Sequence, residues 1–181
     1  MKRIGMMAVW FVIAGAGLLA QTKSVDVIKS ESSITYGLSH PLHHIEATSK
    51  EGWFRVEIDP AKKEIKSVSA QVDVMTFDSG NSNRDSHAME VVESIKYPDV
   101  MFAGTAITQK DDSIFVSGKL TFHGVTKDIV MKGVATWGDH KLIVEGGFQL
   151  SLTAFKIERP SLLMVPVGDA LQFSLKAAFA I

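Results

Sequence analysis

The sequence predicts an all-β protein, folded as a single antiparallel barrel of about eight strands. The first observation is an alternation of apolar and polar residues that recurs in about eight segments between residues 34 and 179. The second is the short turn signals between most of these segments, which favour antiparallel neighbours over crossover helices. The third is a hydrophobic content of 46 % without a cysteine, so that one core and its hydrogen-bond ladder must hold the fold.

The predicted strands share a pattern of one apolar and one polar face. Residues 68–74 give the most regular example, because four apolar residues alternate there with three polar ones. The apolar positions run from Ile34 to Leu38, Phe54 to Ile58, Val68 to Val74, Val100 to Ala106, Ile114 to Phe122, Ile129 to Ala135, Leu142 to Leu150 and Leu171 to Phe179. Turn residues at Asp59-Pro60, 110–113 and 138–140 separate neighbouring strands.

Two stretches interrupt the alternation. Between residues 79 and 98 the apolar residues follow a helical spacing, which predicts a loop and a short helix over the barrel. Residues 153–168 contain Pro160 and Pro166 and cannot form a regular ladder. We therefore expect a short helix and loops at the open end of the barrel.

The first 20 residues predict an exported protein. Lys2 and Arg3 precede an apolar run that ends in small residues, which is typical of a cleaved signal peptide at 1–20. An uncleaved anchor is the alternative, since a run of this length is near the lower limit for spanning a bilayer. Cleavage leaves one domain at 21–181, located in the periplasm or secreted, without stable membrane insertion.

Glycines on the apolar faces of four strands suggest space inside the barrel. Glycine within a strand is destabilising by about 0.5–1 kcal/mol, so its repetition at Gly104, Gly118, Gly133 and Gly146 needs a reason. Barrel curvature and an interior tunnel are both consistent with the pattern. The predicted ligand-binding residues are Phe54, Val56, Val72, Phe102, Gly104, Gly118, Leu120, Phe122, Met131, Gly133, Phe148 and Phe173.

Three segments resemble a known family. Residues 79–87 and 97–102 are similar to its "T-G-N-x-x-R-D-x-H … Y-P-x-I-x-F" pattern, and residues 118–126 to its "G-x-L-T-I-x-G-V-T" pattern. On these motifs the chain resembles the YceI-like family of exported lipid-binding proteins over nearly the whole mature part. The resemblance implies an extended, eight-stranded, lipocalin-like barrel that holds an isoprenoid or other long amphiphile, without catalysis. Ser79 replaces the family's threonine, and residues 88–93 differ from its usual sequence.

Arg84, Asp85 and His87 lie together in the loop that breaks the strand pattern. They are candidates for a polar rim that contacts a ligand head group. The alternative is structural: Asp85 caps the short helix, and Arg84 ties strand ends together by hydrogen bonds to carbonyl groups.

No metal site or cofactor is predicted. His40, His43 and His44 are the densest group of metal-ligand types, but adjacent strand residues point to opposite faces. Catalytic motifs such as a nucleophile elbow or a phosphate loop are absent from the sequence. With a formal net charge of −1 and no basic stripe, nucleic acid is not an expected partner.

We therefore expect a non-enzymatic protein that binds a long-chain lipid or isoprenoid. A stress-related accessory protein without an obligate ligand and an enzyme acting on a lipid head group stay open as alternatives. Formation of a homodimer is also left open, because no exposed apolar stripe stands out in the sequence.

Overall fold

The computed structural model describes residues 22–40, 43–162 and 164–181. The predicted signal peptide therefore lies outside the described residues. The strands are β1 (Lys23–Asp26), β2 (Ser33–His40), β3 (His43–Ser49), β4 (Trp53–Asp59), β5 (Glu64–Asp73), β6 (Asp99–Lys110), β7 (Ser113–Phe122), β8 (Val125–Trp137), β9 (Lys141–Ser151), β10 (Ser161–Leu162), β11 (Val165–Pro166) and β12 (Ala170–Ala180). One α-helix, α1 (Ser82–Val91), and 3₁₀ turns at Lys29–Glu31, Val74–Thr76 and Thr153–Phe155 complete the described secondary structure.

Ten of these strands form one curled antiparallel sheet, in the order β1-β4-β5-β6-β7-β8-β9-β12-β2-β3. The curl brings the residues after β1 back to β12, where Val27 bridges Phe179 and Ile28 N–H donates to the Ala178 carbonyl at 2.7 Å. β10 and β11 form a separate two-stranded hairpin.

The predicted all-β fold is confirmed, with ten strands in the main sheet instead of eight. The eight predicted segments correspond to β2, β4 to β9 and β12. β1 has only four residues, and β3 offers only Ile45 and Ala47 as apolar positions, so neither carries a strong alternation. The two additional strands occupy the two ends of the strand order.

The two ends of the barrel differ. Tight turns at 60–63, 111–112 and 138–140 join β4 to β5, β6 to β7 and β8 to β9 at one end. The opposite end, here called the loop end, carries the long connections 74–98 and 152–169. In the described part of the chain, no helix is long and apolar enough to cross a membrane.

Helix α1 lies in the first of these long connections, where the sequence predicted a short helix. Its start is fixed by Asn81, whose side-chain oxygen accepts a hydrogen bond from Arg84 N–H at 3.1 Å. Glu93, with a φ of 47°, follows the helix in a left-handed conformation. No residue of α1 is fully buried, which fits a helix that covers the end of the barrel.

Candidate ligand-binding cavities

The barrel encloses two apolar cavities. The inner cavity, of about 80 Å³, lies among the inward side chains of the sheet; among the described residues that line it, Gln71 is the only polar one. The loop-end cavity, of about 140 Å³, extends under the connections and α1. Each is smaller than the roughly 300–1,000 Å³ of ordinary small-molecule pockets.

Strand register explains why the inner cavity is apolar. Phe54 of β4 pairs with Ala70 of β5, Ala70 pairs with Phe102 of β6, and Phe102 pairs with Leu120 of β7. Residues that are direct partners across a sheet point to the same face. The alternation in four separate segments therefore places one continuous apolar row against the cavity.

Phe173 lies where the two cavities meet. Its ring stacks on Phe148 with centroids 4.9 Å apart and meets Tyr36 edge-on at 6.4 Å. Phe173 and Val100 line both cavities. The boundary between the cavities is thus formed by side chains, which change rotamer more readily than a backbone wall moves.

Most of the apolar residues predicted to bind a ligand lie on these cavities. The inner cavity is lined by Phe54, Val56, Val72, Phe102, Leu120, Met131, Phe148 and Phe173 from that set. Phe122 lines the loop-end cavity. Sequence reasoning left out other inward residues of the same strands, among them Val116 and Val144, although their alternation identified them equally well.

Gly104, Gly118 and Gly133, which were also predicted to bind the ligand, are not among the residues that line either cavity. A Cβ atom on Gly118 would collide with the Phe102 ring and lie 2.5 Å from the Ala103 carbonyl oxygen. One on Gly133 would lie 2.5 Å from the Glu145 carbonyl oxygen. These glycines permit close approach of neighbouring strands, so curvature explains them, and a leucine there would distort the sheet.

The three predicted rim residues line the loop-end cavity. Arg84 donates from Nε to the Ser79 hydroxyl at 2.8 Å and from Nη2 to the Ser79 carbonyl at 2.6 Å. The Asp85 carboxylate accepts from Ser79 N–H at 3.2 Å and from the Ser79 hydroxyl. His87 is largely exposed and lies 3.7 Å from the Glu90 carboxylate. Arg84 and Asp85 thus shape the loop while they border the cavity.

Tyr36 also lines the loop-end cavity and was not among the predicted site residues. Its ring packs against Phe77 with centroids 5.3 Å apart. Burial raises the pKa of the Tyr36 hydroxyl; the Asp85 charge raises this pKa further and the Arg84 charge lowers it. Tyr36 is therefore a neutral hydroxyl group close to both charged rim residues.

The histidines near the β2–β3 turn have separate surroundings. The buried His40 ring places Nε2 3.2 Å from the Val165 carbonyl oxygen. The exposed His44 ring lies 3.3 Å from Ser39 Oγ and 3.3 Å from a Glu46 carboxylate oxygen. The side chain of His43 lies outside the described residues. Among the side chains that are described, no three histidine or acidic groups are placed to share a metal ion.

The geometry agrees with a known domain. A model of the YceI-like domain matches residues 26–179, so the chain belongs to the YceI-like family. The UPF0312 protein of Pseudomonas savastanoi pv. phaseolicola is 26 % identical over 170 residues, which cover 88 % of this chain and 88 % of that protein. The family predicted from the motifs is thus confirmed.

Solved structures share the fold. BcnA of Burkholderia cenocepacia matches with a TM-score of 0.76 at 20 % identity, over 84 % of this chain and 98 % of that chain. A polyisoprenoid binding domain from Saccharophagus degradans, implicated in plant cell wall breakdown, matches with a TM-score of 0.63 at 11 % identity. That match covers 86 % of this chain and 97 % of the other. At these identities the likeness concerns the barrel alone.

Proposed function

We propose that this protein binds a long apolar molecule inside its barrel without transforming it chemically. The ligand class comprises polyisoprenoids, isoprenoid quinones and fatty-acyl amphiphiles. Binding would serve storage, transport or protection of the lipid in the periplasm, after export of the chain.

The observation that carries this proposal is the continuous apolar lining on both sides of Phe173. A filled barrel core leaves no cavity of several water volumes, whereas this interior has two that share Phe173 and Val100. Such surfaces favour hydrocarbon, because each methylene that leaves water contributes about 0.8 kcal/mol. The polyisoprenoid binding domain that shares the fold supports the same ligand class.

The size of the cavities indicates that a long guest must displace side chains. Both are below the range of about 300–1,000 Å³ for small-molecule pockets. Movement of the Phe173 and Val100 side chains would join them into one elongated space from the loop end to the interior. The tight turns of the opposite end need not change.

Extraction of the purified chain with organic solvent, followed by mass spectrometry, tests the proposal. The wild-type protein is expected to release a long-chain lipid. Ala177 lines the inner cavity and is only 2 % exposed, so Ala177→Leu is expected to reduce the load. Ala103 is exposed on β6, and Ala103→Leu adds the same atoms outside the barrel.

The outcomes separate binding from general damage to the fold. A reduced load in Ala177→Leu with a normal load in Ala103→Leu is the expected result. A wild-type protein that carries no lipid, and takes none from a detergent extract of membranes, would contradict the function. Equal loads in both variants would exclude the inner cavity as the lipid site.

A further inference from the structure

We propose that the loop-end cavity selects amphiphiles whose head group presents anionic oxygens, as a carboxylate or a phosphate does, with Arg84 and Tyr36 as the recognising groups. This inference rests on the proposed function, because it assigns the head-group end of the same ligand.

Arg84 has unused hydrogen-bonding capacity. A guanidinium group has five N–H donors, and two of those on Arg84 bind the hydroxyl and carbonyl oxygens of Ser79. Among the described residues, no carboxylate forms an ion pair with Arg84. The side chain is half-buried and lines the loop-end cavity. Ser79 therefore holds the guanidinium in place and leaves donors for a guest.

Asp85, in contrast, accepts hydrogen bonds through both of its carboxylate oxygens. Its Oδ1 and Oδ2 atoms lie 3.2 Å and 3.3 Å from Ser79 N, and Oδ1 also accepts from the Ser79 hydroxyl. Both carboxylate oxygens are thus engaged with the loop. The Asp85 oxygens at the cavity therefore already accept hydrogen bonds, whereas Arg84 beside them keeps N–H donors without an acceptor among the residues that the structure describes. This difference favours a guest that accepts hydrogen bonds.

Tyr36 lines the same cavity as Arg84 and carries a hydroxyl group. Burial raises its pKa, so the group stays protonated and able to donate near neutral pH. Tyr36 also contacts Phe173, with ring centroids 6.4 Å apart, at the boundary to the inner cavity. A head group bound here would leave its hydrocarbon tail directed past Phe173. His87, the remaining titratable lining residue, faces Glu90 and is largely exposed.

Three amphiphiles with one tail test the inference: dodecanoate, dodecyl phosphate and dodecylammonium. Calorimetric titration of delipidated protein, below the micellar concentration of each, is expected to show both anions binding at least about tenfold more tightly than the ammonium. Arg84→Gln is expected to remove this preference. Because Arg84 also holds Ser79, Tyr36→Phe provides a second variant that leaves the Ser79 contacts intact and weakens binding of the anions by roughly tenfold.

Arg55 on the outer wall supplies the matched control. It pairs with Asp26 at 2.7 Å, away from both cavities, so Arg55→Gln should keep the wild-type preference. Dodecylammonium binding as tightly as the anions, or a preference that survives in both Arg84→Gln and Tyr36→Phe, would overturn the head-group assignment alone. Failure of all three amphiphiles to bind would overturn the proposed function with it. A difference between the two anions would show which oxygen acid the site prefers.

Discussion

At the scale of single residues, Phe173 is placed to limit the length of the proposed guest, because its side chain lines both cavities. The ring lies between the cavities and is 8 % exposed, stacked on Phe148. Its neighbours in the ladder are Phe148 on β9 and Tyr36 on β2, so the three rings form one row across the sheet. A row of aromatic side chains can rearrange without breaking a backbone hydrogen bond.

Phe173→Ala is expected to join the two cavities and broaden the chain lengths of bound lipids towards longer molecules. The lost packing should lower the free energy of unfolding of the lipid-free protein by about 3–5 kcal/mol. Urea denaturation and mass spectrometry of the extracted lipids measure the two effects. Phe115 is 41 % exposed on the outer wall, so Phe115→Ala should change the free energy of unfolding and the lipid profile only slightly. An unchanged lipid profile in Phe173→Ala would show that the ring is not a barrier.

At the scale of secondary-structure elements, the alternation of residues predicted eight strands and missed β1 and β3, in which the alternation is weak. β6 and β12 have eleven or more residues and repeat the pattern several times, whereas β1 has four. The apolar lining followed from the same alternation. The alternation did not predict that Gly118 permits close approach of two strands. The atoms that crowd this position belong to β6, and only the strand register makes them its neighbours.

The connection between β9 and β12 is expected to weaken in acid. The Asp169 carboxylate accepts a hydrogen bond from Thr153 N–H at 2.9 Å. Interaction with the Ser151 hydroxyl, and then with Thr153 N–H, holds the pKa of Asp169 below its ordinary value. A lowered pKa in the folded state contributes stability above the unfolded value of about 3.9, and this contribution disappears as the pH falls through the folded value.

Asp169→Asn should therefore destabilise the protein at neutral pH and lose less stability than wild type on acidification below about pH 4. Urea midpoints measured at pH values from about 2.5 to about 7 test this expectation. This range includes the unfolded carboxyl pKa of about 3.9. Asp139→Asn, in the turn between β8 and β9, is the control and should follow the wild-type curve. Parallel curves for Asp169→Asn and wild type would contradict the assignment.

At the scale of the whole molecule, we expect the chain to be exported from the cytoplasm. The basic start and apolar run of residues 1–20 support removal of a signal peptide, with the mature chain beginning near Gln21. Intact-mass measurement of protein from the periplasmic fraction should show a chain shortened by about twenty residues. A matched variant with Leu18 and Leu19 both replaced by Arg should accumulate uncleaved in the cytoplasm. Full-length protein in the periplasm would contradict cleavage.

The strand order also constrains when the barrel can form. β12, the last strand of the chain, lies between β9 and β2, and residues 178 and 179 also bond the segment that follows β1. β1 pairs with β4 and β2 pairs with β3, but the second partner of β2 and the contacts of residues 27 and 28 come from the last strand. Contacts this distant in sequence form slowly, and an incomplete chain has no closing strand. The barrel of this protein can therefore close only after β12 has been synthesised, whatever local pairs form before it.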